Sequence, residues 1–186
     1  MLNLKRIRKD QAGFTLVEIA IVMVIIGLLI GGVLKGQAMI ENAKVKRVVK
    51  QADELRAAVM IFYDKFGVYP GDGNTATVPP SGGNGRITGT EVYALFRDLG
   101  RAGLISGTYN GTSDQPKHAF GGNVNLVWVT PPGSTPGHYL RFYDLPAAVC
   151  QEIDIKNDDG VATTGSIVGS GAYTPNTNVG ILYMRF

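Results

Sequence analysis

The sequence predicts an α+β protein in which one long N-terminal helix packs on a small antiparallel sheet with one or two short helices. Three observations lead to this fold class. An apolar run extends from Phe14 to Leu34, a helical repeat of apolar residues continues to Phe66, and strand-like runs separated by Gly- and Pro-rich turns occupy the second half. A helix followed by neighbouring strands, without strand–helix alternation, is typical of α+β folds.

Charge and composition divide the chain into four segments. These are a basic leader (1–13), an apolar half-helix (14–34), an amphipathic half-helix (35–66) and a globular head (67–186). The net charge of +3 lies entirely in the leader, and the head carries 7 basic and 9 acidic residues. Because nucleic-acid binding requires a basic patch on the folded domain, we do not expect a nucleic-acid partner.

The segment 14–34 has the length and composition of a transmembrane helix. Its only ionisable residue is Glu18, and at 1.5 Å per residue it spans the roughly 30 Å hydrocarbon core of a bilayer. Four basic residues precede it and Lys35 alone follows, so the positive-inside rule predicts a cytoplasmic N-terminus and an exported head. The alternative is a buried core helix of a soluble protein.

The residues at the start of the apolar run carry a family resemblance. The sequence Gly13-Phe14-Thr15-Leu16-Val17-Glu18, between a short basic leader and an apolar helix, resembles the type IV prepilin signal. That family comprises type IV pilins, type II secretion pseudopilins and pilin-like competence subunits. The resemblance implies a pilin-like fold, cleavage between Gly13 and Phe14 by a prepilin peptidase, and N-methylation of Phe14.

The same resemblance implies a location and partners. The precursor would reside in the bacterial inner membrane as a single-pass protein. It would then enter a homo-oligomeric filament, a periplasmic pseudopilus or a cell-surface pilus, with the help of an inner-membrane assembly platform and minor pilins. These machines share the signal, so the sequence leaves open which of them the chain serves.

Glu18 is the residue that hydrophobicity alone does not explain. A carboxylate inside the bilayer costs on the order of 2.5–3.5 kcal/mol on insertion scales, and such residues are usually functional. The family role implied for Glu18 is an ion pair with the N-terminal amine of a neighbouring subunit during assembly. The alternative is a boundary residue that reaches the lipid head groups from the first turn.

The helix is expected to continue beyond the membrane. Apolar residues recur at alternating spacings of three and four up to Phe66, and Gly67 and Pro70 then provide a stop. We expect this stripe to pack on the sheet, with a coiled coil as the alternative. In the same helix, Gly27, Gly31, Gly32 and Gly36 form two G-x-x-x-G spacings that allow close helix approach.

The head is predicted to begin with a long surface connection, 67–90. Its glycines do not form a phosphate-binding loop, because the pattern G-x-x-x-x-G-K-[ST] is absent. Thr90 is expected to cap a helix from Glu91 to Arg101. Strands are predicted at 124–130, 138–143 and 179–186, with a helix at 146–155 between the second and third.

A possible calcium site lies near the end of the second short helix. Asp154, Asn157, Asp158 and Asp159 offer several oxygen donors in one turn, and some pseudopilins hold calcium near their C-termini. An ordinary Asx-type turn is the alternative that we favour, so no cofactor is expected. The single cysteine, Cys150, excludes the disulfide-closed loop of many type IV pilins.

No enzyme signature is present. His118 and His138 lie in sequence surroundings rich in Pro and Gly, and neither they nor Cys150 form a metal-ligand spacing. No nucleophile motif of known hydrolases occurs, and we expect no catalysis. The alternative function is a membrane-anchored periplasmic protein that binds a ligand or catalyses a reaction without polymerising.

Overall fold

The computed structural model describes residues 13–73 and 83–186. The order of elements is α1 (Leu16–Phe66), α2 (Glu91–Arg101), β1 (Val124–Val129), β2 (Gly137–Pro146), α3 (Ala147–Asn157), β3 (Ile167–Gly169) and β4 (Asn178–Arg185). The chain divides into two compact units, with the boundary between Asn42 and Ala43 inside α1. Each unit is described by itself.

The first unit is, in its described part, a single helix. Gly13, Phe14 and Thr15 precede α1 in non-helical conformation, so the helix begins two residues later than the apolar run. Every described side chain from Gly13 to Leu34 is exposed, and a window of 18 residues in this helix has a mean hydropathy of 2.8 with no residue buried. Within the described residues, this is one helix with the length and composition to cross a membrane.

The second unit, 43–186, is built on a four-stranded antiparallel sheet with the order β1-β2-β4-β3. Leu126 pairs with Leu140 in the first ladder, and Leu140 pairs with Met184 in the second. These three side chains share one face of the sheet, since side chains alternate along a strand. They belong to the core, together with α2, α3 and the head half of α1.

The apolar stripe of α1 packs as expected. Val48, Ala52 and Phe62 are fully buried in the core formed with the strands. The guanidinium of Arg56 donates to the main-chain oxygen of Arg185 at the end of β4. Helix-on-sheet packing, rather than a coiled coil, therefore explains the repeat. The helix ends at Phe66, and the next residue, Gly67, has a φ of 74° that favours glycine and an N–H that donates to Tyr63 O.

Several sequence predictions about the head require correction. Thr90 has helical dihedrals and makes no side-chain cap. The carboxylate of Glu91 instead accepts hydrogen bonds from the N–H and hydroxyl of Thr88, 2.7 and 3.1 Å away. The helix Glu91–Arg101 has the predicted bounds, the bounds of the other predicted elements shift by up to three residues, and β3 was not predicted. The connection 67–90 is also not entirely at the surface, because Asp72 and Ile87 are buried.

Candidate processing and assembly site

The Gly13–Phe14 peptide bond lies just before the helix. Phe14 is 83% exposed, and a Cβ added at Gly13 would meet no atom within 4 Å among the described residues. Non-helical, uncovered backbone is the conformation in which a protease can bind a peptide bond. Apart from Gly13, the predicted leader lies outside the described residues.

Thr15 and Glu18 close the start of α1 by a reciprocal set of hydrogen bonds. The N–H of Thr15 donates to Glu18 Oε2 at 2.8 Å, and the N–H of Glu18 donates to Thr15 Oγ1 at 3.2 Å. The Thr15 hydroxyl also donates to Oε2 at 2.7 Å, while Thr15 O accepts the first helical bond from Ile19. This is a complete capping box, with Thr15 as N-cap and Glu18 three residues later.

The capping box gives Glu18 a defined place before any other subunit is present. Both hydrogen bonds from Thr15 use Oε2, and Oε1 has no hydrogen-bond partner among the described residues. The positive end of the helix dipole favours a carboxylate in this first turn. Cleavage at Gly13 would create a free amine on Phe14, one residue before the cap. The arrangement therefore leaves one carboxylate oxygen for a cation from outside the chain.

The four glycines of the two G-x-x-x-G spacings face open space. A Cβ added at Gly27, Gly31, Gly32 or Gly36 would meet nothing within 4 Å among the described residues. At 100° per residue, the first pair and the second pair lie on faces about 140° apart. These positions are not needed for packing within the described chain, so close approach by another helix remains possible on two sides.

The acidic residues at the end of α3 and just after it form a cluster whose hydrogen bonds stabilise the turn there. Carboxylate oxygens of Asp154, Asp158 and Asp159 lie within 4.8 Å of one another. Asp154 accepts from the Tyr173 hydroxyl and the N–H of Gly160, and Asp158 Oδ2 accepts from two backbone N–H groups. The side-chain amide of Asn157 donates to Ile153 O. Calcium binding stays a prediction, and the hydrogen bonds suit the Asx-type alternative.

The histidines and the cysteine are packed into the head. His138 lies in β2, within the predicted strand 138–143, and His118 lies in a turn beside it; both are buried. Burial lowers the pKa of both imidazoles. It also raises the pKa of the Cys150 thiol to about 12, so that this group is a poor nucleophile.

Comparison with known proteins bears on the N-terminal signal. Residues 8–34 match the family model described as the prokaryotic N-terminal methylation motif. No curated protein and no solved structure matched the chain in the corresponding searches.

The chain therefore carries a prepilin-type N-terminal signal on an α+β, pilin-like fold. This signal implies processing by a prepilin peptidase, and it is typical of structural proteins rather than enzymes. The apolar helix behind it indicates anchoring in a membrane. The matched segment contains Gly13, Phe14 and Glu18, although it assigns no role to any one of them.

Thr15 is the functional residue that the sequence predictions omitted. Its signal was present in the chain, because S/T-x-x-E before an apolar run is the pattern of a capping box.

Proposed function

We propose that this chain is the precursor of a structural subunit of a type IV pilus-like filament, either a pilin or a type II secretion pseudopilin. The observation that carries the proposal is the methylation motif at residues 8–34, in which Glu18, the one acidic side chain of the apolar segment 14–34, is held at the first turn of an exposed apolar helix. A peptidase cuts between Gly13 and Phe14, and the new N-terminus is methylated.

Before assembly the apolar helix anchors the subunit in the inner membrane. The basic leader keeps the N-terminus cytoplasmic, and the head is exported. In this state the Glu18 carboxylate keeps the two hydrogen bonds from Thr15, which lowers the cost of placing it near the hydrocarbon.

Assembly exchanges lipid contacts for contacts between subunits. The Phe14 amine of a neighbouring subunit pairs with Glu18, whose Oε1 has no partner among the described residues. The glycine faces of the apolar helix support growth, because they allow close neighbours on two sides. A subunit with contacts on two sides continues a polymer, whereas one self-complementary contact closes as a dimer.

The second candidate function is a membrane-anchored protein whose exported head binds a ligand or performs chemistry without polymerising. The two candidates differ in the fate of the processed chain. The full-length precursor should be expressed with a prepilin peptidase and an assembly platform, and the sheared or periplasmic fraction should be sedimented and imaged.

We expect thin filaments that contain the processed chain as their main component. Processed chain that remains entirely in the membrane fraction, while a known pilin assembles in the same cells, would favour the anchored alternative.

A further inference from the structure

The face of the sheet opposite the core carries a polar row that crosses three strands. Asn125 in β1 pairs with Arg141 in β2, and Arg141 pairs with Tyr183 in β4. Each of these residues is next in sequence to a core residue of its strand, so its side chain lies on the other face of the sheet. The head half of α1 packs on the core face, and the polar row therefore faces away from it.

An open cleft of about 350 Å³ lies beside this row. Small-ligand sites in proteins typically have volumes of roughly 300–1,000 Å³. The polar residues that line the cleft come from α2, from the connection between α2 and β1, and from β1 and β2; they are Tyr93, Gln115, Asn123, Asn125, Arg141 and Tyr143. We call these six residues the Arg141 cleft.

Two neighbours hold the guanidinium of Arg141 in place. Its Nε donates to Asn125 Oδ1 over 2.8 Å, and Asn125 Nδ2 donates to the Tyr143 hydroxyl over 3.3 Å. The guanidinium carbon lies 5.5 Å from the centroid of the Tyr143 ring, as in a cation–π contact. Asn125 is only 2% exposed, so a buried amide fixes the orientation of the fork. Within the described residues, Nη1 and Nη2 of Arg141 make no hydrogen bond or ion pair.

The charge of the cleft favours a monoanion. Arg141 is the one charged side chain among the described residues that line it. A carboxylate is planar, matches the guanidinium fork in two parallel hydrogen bonds, and carries one negative charge. A phosphate ester carries about −1.5 to −2 at neutral pH, which one guanidinium compensates only in part. The cleft therefore fits a carboxylate better than a phosphate.

The other side chains of the cleft suit hydroxyl groups. The amides of Gln115 and Asn123 make no hydrogen bond within the described part of the chain. An amide offers both a donor and an acceptor, as a hydroxyl does, so the two can bind each other in either sense. The half-buried ring of Tyr93 adds an apolar wall with a polar tip.

We propose that the Arg141 cleft binds a sugar acid, a small polyhydroxylated carboxylate such as a hexuronate. Nη1 and Nη2 of Arg141 donate to the two carboxylate oxygens, and the Tyr143 hydroxyl donates to a sugar oxygen. The amides of Gln115 and Asn123 bind sugar hydroxyls. The inference goes beyond the proposed function and does not rest on it, because the head carries this cleft whether or not the chain polymerises.

Titration calorimetry on the full-length chain in a non-ionic detergent tests the class of ligand. The probes are D-glucuronate and D-galacturonate, with D-glucose, which lacks the charge, and acetate, which lacks the hydroxyls. We expect one or both hexuronates to bind at least about tenfold more tightly than glucose or acetate, because loss of charge-assisted hydrogen bonds has this effect. Acetate that binds as tightly would overturn the sugar assignment, and glucose that binds as tightly would overturn the role of the carboxylate. If neither hexuronate binds, the proposal fails.

Three variants locate the binding. Arg141→Gln removes the charge and the fork and should weaken hexuronate binding by at least about tenfold. Tyr143→Phe keeps the ring beside the guanidinium and removes the hydroxyl, and a loss of roughly two- to tenfold is expected. Arg185→Gln is the matched control, because Arg185 is an exposed arginine on the same face of the sheet, opposite Tyr139. It should bind like the wild type.

Thermal midpoints without ligand show whether each variant is folded, and Tyr143→Phe alone decides the outcome if Arg141→Gln is not. Wild-type affinity in a folded Arg141→Gln or in Tyr143→Phe would reject the cleft as the site. An equal loss in Arg185→Gln would show attraction to surface charge instead and would also reject it.

Discussion

Replacing Glu18 by Gln separates the processing of the chain from its assembly. Gln is accepted at the third position of a capping box, so the amide oxygen can still take the hydrogen bonds that Thr15 now donates over 2.8 and 2.7 Å. The change therefore keeps the start of α1 and removes only the negative charge. We expect the leader to be removed at the wild-type rate.

The loss of the Glu18 charge should instead reduce the amount of polymer that forms. Removing one partner of a buried charge pair typically costs about 3–5 kcal/mol, because the other charge is left without compensation. At about 1.4 kcal/mol per tenfold, this lowers subunit association by roughly 10²-fold to 4 × 10³-fold. The assay is the fraction of processed chain in sedimented filaments, quantified beside intact-mass measurement of the same cells.

Thr15→Ala is the matched control, since it keeps the carboxylate and removes the cap. Loss of an N-cap costs about 1 kcal/mol, so this variant should lose no more than about tenfold in polymer. Filaments of Glu18→Gln at wild-type yield would refute the charge pairing. Retention of the leader in Glu18→Gln would instead assign the carboxylate to recognition by the peptidase.

Three further predictions concern the head. Asp72→Ala should lower the free energy of unfolding by about 2–4 kcal/mol, because the buried carboxylate accepts hydrogen bonds from two backbone N–H groups at 2.9 and 2.7 Å. Denaturant titration measures this loss, and a value below about 1 kcal/mol would contradict the prediction. Burial lowers the pKa of His118 and His138, so the unfolded state binds more protons, and the stability of the head should fall as the pH drops below about 6.5. The thermal midpoint should therefore be lower at pH 5.5 than at pH 7.5. His118→Asn should make the difference between these two midpoints smaller. Gly122→Ala should destabilise the head by more than about 2 kcal/mol, because the Cβ of the new alanine would collide with Tyr143 O. An unchanged thermal midpoint would contradict this and show that the turn can move.

The parts of the fold that depend on local periodicity could be predicted from the sequence. The stripe along α1 repeats every three or four residues, and its predicted members from Val45 to Phe62 are buried. Gly67 ends the helix for a reason that is also local, because a left-handed residue at this point favours glycine. These features need no knowledge of distant contacts.

Features that depend on distant contacts were missed. The strand Ile167–Gly169 has three residues, too few for an alternating pattern, and it exists because it pairs with β4. His138 is buried because Tyr69, Trp128 and Phe186 surround its ring, and these residues come from three separate segments. Sequence neighbours rich in Pro and Gly gave no sign of such packing.

The residues of the candidate site also divide into those that a local sequence pattern identifies and those that it does not. Gly13 and Phe14 could be selected only through the resemblance of a short motif, because no periodicity identifies a cleavage bond, whereas Glu18 was also conspicuous as the one ionisable residue of the apolar run. The role of Thr15 in orienting Glu18 is a local effect, which the four-residue pattern S/T-x-x-E already indicates.

The most direct test of the central claim is the mass of the chain in membranes that contain an active prepilin peptidase. The proposed function predicts a mature chain that begins at Phe14, lacks residues 1–13 and carries one added methyl group on its N-terminal amine. The same membranes without the peptidase should contain the chain with residues 1–13 still attached. A precursor that keeps residues 1–13 beside a known prepilin that is cut in the same cells would contradict the account.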